Sequence, residues 1–186
     1  MDSNDSSNKK TAILVATWDY LMKTGLGKAS VGELCKLTKI SQSSLYYWFD
    51  NKDDIWVSAG KYGLSKVVGA LLDFTFNHID DVPKYFATLL DEAEKYKYEL
   101  RLALQITTSP IYGDGMRAQA FDFRVWYERY AEKLMNVFGC TEMQAEIFIY
   151  SIISFIVDYV IWDDREKTQM LLDNLHYRIK NVLDME

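Results

Sequence analysis

Apolar residues return along this chain at the three- and four-residue spacing that places them on one helix face, and capping signals stand in front of run after run. Ile13, Leu14, Thr17, Trp18, Leu21 and Met22 form such a face over Lys9 to Lys23, which Gly25 and Gly27 end. Ser30-Val31-Gly32-Glu33 reads as a capping box, Ser30 holding the amide of Glu33 and the Glu33 carboxylate reaching back to that of Ser30, and it opens a short helix from Val31 to about Leu37. Ser41 caps a second short helix, Gln42 to Trp48, and Asn51 with Asp54 caps a long one from Lys52 to about Phe76. Pro83 sits in the first turn of a helix running to about Tyr96, where its missing amide proton does no harm. Leu100, Leu102, Leu104 and Ile106 lead into the loop Thr107 to Gly115. Helices follow from about Arg117 to Phe138, from Thr141-Glu142-Met143-Gln144 to Trp162, and from about Glu166 to Val182.

About nine helices are therefore expected, and the composition agrees. Two prolines and nine glycines interrupt 186 residues, of which 49% are hydrophobic, enough for one large or two small cores. The pattern predicts an all-α chain with a polar disordered tail at residues 1–8, a head over residues 9–56 and a body over 57–186, the linking helix (52–76) joining them. Cys35 and Cys140 lie far apart and match no paired metal-ligand spacing, so neither a zinc site nor a disulfide framework is expected, and a cytoplasmic setting fits. Ile147 to Trp162 is the most apolar stretch, but Ser151, Ser154 and Asp158 interrupt it, so no membrane span is expected.

Val31 to Leu37 and Gln42 to Trp48, joined by a tight connection, have the layout of a helix-turn-helix, whose second helix enters the DNA major groove. Leu34, Leu37, Ile40 and Leu45 are positioned to lock the pair, leaving Gln42, Ser43, Ser44 and Tyr47 outward to reach base edges or phosphates. The run Ser30-Val31-Gly32-Glu33-Leu34-Cys35, then Ile40-Ser41, then Leu45-Tyr46-Tyr47-Trp48-Phe49, then Asn51-Lys52-Asp53-Asp54-Ile55 resembles the head of the TetR family of bacterial transcriptional regulators, over about residues 10 to 56. The resemblance implies a three-helix DNA-binding head and a larger helical domain that binds a small molecule and forms a homodimer through its last two helices. It implies phosphate contacts from Ser30, Tyr46, Tyr47 and Lys52, and base reading by Gln42, Ser43 and Ser44. Ser41 caps the recognition helix. Lys39 stands in the turn where the family usually has glycine; it adds a charge near the phosphates and places a Cβ where positive φ is favoured.

The net charge of −6 argues against nucleic acid until it is split by position. Residues 1–61 hold eight lysines and seven acids, two of those acids in the tail, whereas residues 62–186 hold thirteen basic and twenty acidic groups. The acidity belongs to the body. Asp50, Asp53 and Asp54 nevertheless flank Lys52, which predicts modest affinity with strong salt dependence.

The aromatic share, 15%, is high for a helical chain and concentrates in the body. Core packing is one reading; the other is an apolar cavity with a few polar groups, lined by Arg101, Gln105, Met116, Phe123, Trp126, Tyr127 and Tyr130 and entered near Ser109 to Gly115, for an apolar or aromatic effector. The helix ending at Trp162 is apolar nearly all round, and with the amphipathic last helix it predicts a symmetric four-helix dimer interface through Ser151, Ser154, Phe155, Asp158, Leu171, Leu175 and Ile179. Gly60, Gly63 and Gly69 in the linking helix allow either a pivot or close helix packing.

Nothing assembles a catalytic set. His78 and His176 are isolated, Gly113-Asp114-Gly115 lacks the strand and pattern of a phosphate loop, and the acid pairs lie at helix ends, so neither an enzyme nor a cofactor is expected. The sequence thus predicts a DNA-binding transcriptional regulator, a repressor whose homodimer is released from its operator by a small molecule. The alternative is a non-enzymatic interaction module that keeps the fold without binding an operator.

Overall fold

The computed structural model describes residues 3–118 and 121–183, with the side chains of 1–7, 72, 119–126 and 180–186 outside that description. Its elements are α1 (Ser3–Thr24), α2 (Val31–Thr38), α3 (Gln42–Trp48), α4 (Lys52–Asp73), α5 (Val82–Lys95), α6 (Lys97–Thr108), the short α7 (Gly113–Arg117), α8 (Phe121–Phe138), α9 (Glu142–Trp162) and α10 (Arg165–Leu183), with 3-10 turns at Leu26–Lys28 and Ile79–Asp81. The chain is all-α, with nine helices of seven residues or more among the described residues. α1 starts at Ser3, inside the segment expected as a disordered tail; Met1 and Asp2 lie outside the described residues.

The chain forms two compact units, residues 1–67 with 98–120, and residues 68–97 with 121–186. The division differs from the head and body expected from the sequence, because α4 as far as Val67, α6 and α7 belong with the head. Close packing explains this. A Cβ on Gly60 would stand 3.0 Å from Ile106 Cδ1 and 3.3 Å from Met116 Sδ, and one on Gly115 would stand 3.0 Å from Val57 Cγ2. Leu21, Leu34, Leu45, Ile55, Trp56 and Ile106 are wholly buried in one core, and Tyr112 and Met116 join it. Unit 1 thereby carries eleven basic and nine acidic residues, and unit 2 ten and eighteen.

Aromatic side chains build the second core. Tyr85 sits edge-on to Phe76 and Phe86, Phe86 edge-on to Phe148, and Phe138 lies against Phe76 and Phe148. His176 stacks on Phe86 with ring centres 5.0 Å apart. Such pairs add about 0.5–1.5 kcal/mol each beyond the area they bury. α9 is long and apolar enough to cross a membrane by length and composition, but it packs against α8 and α10 and buries Phe148, Ile149, Ile152, Ile156, Tyr159 and Val160. A polar clasp fixes the α9–α10 turn to the end of α5: Lys97, 7% exposed, bridges Asp163 and Glu94 and lies 4.6 Å from the centre of the Tyr159 ring. The Tyr159 hydroxyl donates to Glu94, holding that carboxyl below its usual range, and Arg165 pairs with Asp91.

Tyr130 donates to the Tyr85 hydroxyl at 3.0 Å inside this core. Burial pushes both phenols above their ordinary value of 10.0. Folding stability is therefore independent of these groups below that value and falls as pH rises past it, because the unfolded chain releases protons that the folded one keeps. Urea denaturation from pH 8 to 11 is expected to show this loss. Tyr85→Phe is expected to shrink its slope between pH 10 and 11.

Candidate nucleic-acid interface

α2 and α3 form because each has a local cap and one apolar side. Ser30 Oγ accepts from the Glu33 amide at 3.3 Å and Ser41 Oγ from the Ser44 amide at 3.1 Å. The Ser30 amide, however, donates to the Tyr20 hydroxyl at 3.0 Å, and that hydroxyl donates to Glu33 Oε2 at 3.1 Å. A side chain from α1 is thus inserted into the expected capping box, tying α2 to α1 as well as closing its first turn. Leu34 and Leu45 are wholly buried between the helices and Ile40 is half-buried. Leu37, expected to lock the pair, is instead 58% exposed.

The connection needs one residue in the left-handed region, and Lys39 supplies it at φ 57°, ψ 24°. Thr38 supports the turn, its hydroxyl donating to the Leu34 carbonyl at 2.8 Å and accepting from the Ile40 amide at 3.4 Å. A left-handed non-glycine residue costs about 1–2 kcal/mol. Lys39→Gly is expected to raise stability by about 0.5–1 kcal/mol in urea denaturation, the gain reduced by glycine's greater freedom in the unfolded chain.

The outward surface gathers the residues picked out in the sequence. Gln42, Ser43, Ser44 and Tyr47 are exposed on α3, with Tyr47 78% exposed and edge-on to Trp48 at 4.9 Å. Ser30, Lys39, Ser41 and Lys52 are exposed at the flanking helix ends, and Tyr46 is 40% exposed and so is not a core residue. Ser41 Oγ lies 2.9 Å from Ser43 Oγ and 2.8 Å from Ser44 Oγ, so these three hydroxyls form one connected group. At the start of α4, Asn51 Oδ1 accepts from the Asp54 amide at 2.9 Å, and Asp54 accepts from the Asp50 amide and the Ser58 hydroxyl. Asp54 is occupied as a cap. Asp50 and Asp53 are exposed beside Lys52.

The crystal structure of a transcriptional regulator from Rhodococcus sp. Rha1 is similar. It superposes with a TM-score of 0.60 at 18% sequence identity, covering 90% of this chain and 93% of that one, a likeness of fold. No family model and no curated protein matches the chain.

The other two residue sets are placed less simply. Met116, 4% exposed, packs into the unit 1 core, where Arg101 is half-buried and Gln105 exposed. The loop expected as an entrance is folded onto unit 1: Ser109 Oγ accepts from the amides of Ile111 and Tyr112, and Tyr112 is near enough to Asp53 for that charge, after burial, to raise its phenol pKa. On α8, Tyr130 is committed to Tyr85, and Tyr127 is half-buried and stacked 6.1 Å from Tyr150; the side chains of Phe123 and Trp126 lie outside the described residues. Of the expected dimer residues Ser154 is exposed and Ser151, Phe155, Asp158, Leu171, Leu175 and Ile179 are half-buried. Met143, Ile147, Tyr150, Ile161 and Trp162 on α9 and Met170 and Tyr177 on α10, outside the expected dimer set, are all more than half exposed. Their i, i+4, i+7 spacing was the available signal. Sequence reasoning missed a cavity in unit 2 between the α8–α9 turn and the later turns of α10, which depends on segments apart in sequence.

Proposed function

We propose that this chain is a TetR-like, DNA-binding transcriptional regulator, a cytoplasmic repressor that acts as a homodimer on double-stranded DNA and is released by a small-molecule effector. The observation that carries the reading is the α2–α3 pair: Leu34 and Leu45 both wholly buried in one core, a capped recognition helix, and Gln42, Ser43, Ser44 and Tyr47 all exposed on it. In this reading Gln42 reads an adenine edge, with Ser43 and Ser44 beside it, while Ser30, Lys39, Ser41, Tyr46, Tyr47 and Lys52 hold phosphates. The fold shared with a transcriptional regulator supports it. So does the division of charge, since unit 2 takes the acidic excess.

The dimer is proposed to form through α9 and α10, where Ile147, Tyr150, Trp162, Met170 and Tyr177 add exposed apolar surface to the stripe of Ser151, Ser154, Phe155, Asp158, Leu171, Leu175 and Ile179. Of the effector candidates, Arg101, Gln105 and Met116 belong to unit 1 and Phe123, Trp126, Tyr127 and Tyr130 to unit 2, with Met116 and Tyr130 taken up by the cores of their units. The deciding experiment is binding to DNA fragments from upstream of the chain's own gene, with competitor DNA, from 50 to 200 mM salt. One fragment bound in preference, with affinity falling steeply across that range, is the expected result. Absence of any salt-dependent binding would sink the reading and favour the interaction module, for which the exposed Asp50 and Asp53 beside Lys52 speak.

A further inference from the structure

α8 stops at Phe138 because Gly139 turns left-handed at φ 66°, and α9 begins only at Glu142. The break leaves a cavity of about 260 Å³ in unit 2, floored by Leu134, Phe138 and Phe148 and walled on the α10 side by Leu175. It lies just under the roughly 300 Å³ at which pockets for drug-sized ligands begin. At about 30 Å³ for each water-sized atom it holds roughly nine heavy atoms. Its polar lining comprises Gln144, Arg178 and Cys140. Gln144 spends its oxygen on the α9 cap, accepting from the Thr141 amide at 2.8 Å, which leaves its amide NH₂ as a donor. Arg178 donates through Nε to Asn174 Oδ1 at 3.0 Å and pairs with no carboxylate among the described residues, so its two terminal nitrogens keep their donors. An apolar floor with a guanidinium in its wall that no carboxylate among the described residues pairs is complementary to an anion with a short apolar tail.

We propose that this cavity is a binding site for a small amphipathic carboxylate, with its chain against Phe138 and Phe148 and its head on Arg178. A second copy of the chain is the competing occupant, because Ile147, Leu175 and Ile179, given above to the proposed dimer surface, also line this cavity. A two-fold contact centred here brings Arg178 towards its own copy, whereas an anion neutralises it. Because binding is measured on the free chain, the proposal stands apart from the operator reading.

The test uses octanoate, with octanol as its uncharged counterpart, titrated calorimetrically into the full chain. A parallel assay follows alkylation of Cys140 by iodoacetamide in a Cys35→Ser background. The expected result is one octanoate per chain and slowed alkylation. Arg178→Gln should weaken octanoate about tenfold while changing octanol less than twofold, and Leu175→Trp, which narrows the cavity, should remove binding of both. Arg178 is exposed, so Arg178→Gln remains decisive even if Leu175→Trp fails to fold. No saturable octanoate binding, or binding and Cys140 protection unchanged in Arg178→Gln, overturns the proposal. Cys140 protection that rises with protein concentration but not with octanoate also overturns it, and assigns the cavity to a contact between copies.

Discussion

Gly63→Ala is expected to destabilise unit 1 by about 3 kcal/mol or more, the upper range for forcing atoms into a filled core. A Cβ at this position would stand 2.3 Å from Trp18 Cε2 and 2.4 Å from Cδ2 and Cζ2, inside the indole and not at the end of a flexible chain. Trp18 is 6% exposed, so its ring has nowhere to move without displacing α1 from α4. Urea denaturation followed by tryptophan fluorescence measures the loss, and wild-type stability in this variant would falsify the contact. Gly60→Ala provides the contrast. Its Cβ meets the Ile106 Cδ1 methyl at 3.0 Å, a side-chain tip able to yield, so a cost nearer 1 kcal/mol is expected. Trp18→Phe in the Gly63→Ala background should recover part of the loss, because a smaller ring leaves room where the two changes meet. Of the two readings open for these glycines, the distances at Gly60 and Gly63 favour close packing over a pivot.

What the sequence made legible was local. The caps at Ser41, Asn51–Asp54 and Thr141 form as read, since each needs only residues three positions apart. The box at Ser30 was half legible: the serine caps Glu33, but Tyr20 lies ten residues upstream and no spacing rule brings it between them. Leu37 was misjudged for a similar reason. Helical spacing names a face, yet a seven-residue partner helix covers only part of it, and Leu34 and Leu45 take that part. The assignment of α6 and α7 to the unit holding the head follows from Gly60, Val57, Ile106 and Met116 meeting across about fifty residues of chain, and nothing in the local pattern of either segment announces that pairing. The aromatics show the limit most plainly. Their abundance allowed a cavity or a core, and the set around Phe86 and Tyr85 gives Phe76, Phe138 and Phe148 to the core, whereas Tyr98, Tyr150, Trp162 and Tyr177 stay exposed.

Gln42→Ala and Lys52→Ala are expected to separate sequence reading from phosphate anchoring at the α3 surface. Both side chains are exposed with no core role, so neither change should alter the thermal midpoint by more than a degree or two. Lys52 stands at the first position of α4, flanked by acids already engaged in or exposed beside the cap. Losing its charge removes a contact that is the same on every sequence. Binding to the preferred fragment and to random DNA should fall by similar factors, and the slope of log affinity against log salt should flatten by about one. Gln42, the first residue of α3, offers both a donor and an acceptor, the pairing that suits adenine in the major groove. Its loss should cost about 1–3 kcal/mol on the preferred fragment, roughly five- to a hundred-and-fifty-fold, and nearly nothing on random DNA. Competition titrations of both variants at two salt concentrations measure these effects together. If the two behave alike, with equal losses on both DNAs, α3 does not lie in the groove as proposed; if neither loses anything, the exposed face of the head serves a partner other than DNA.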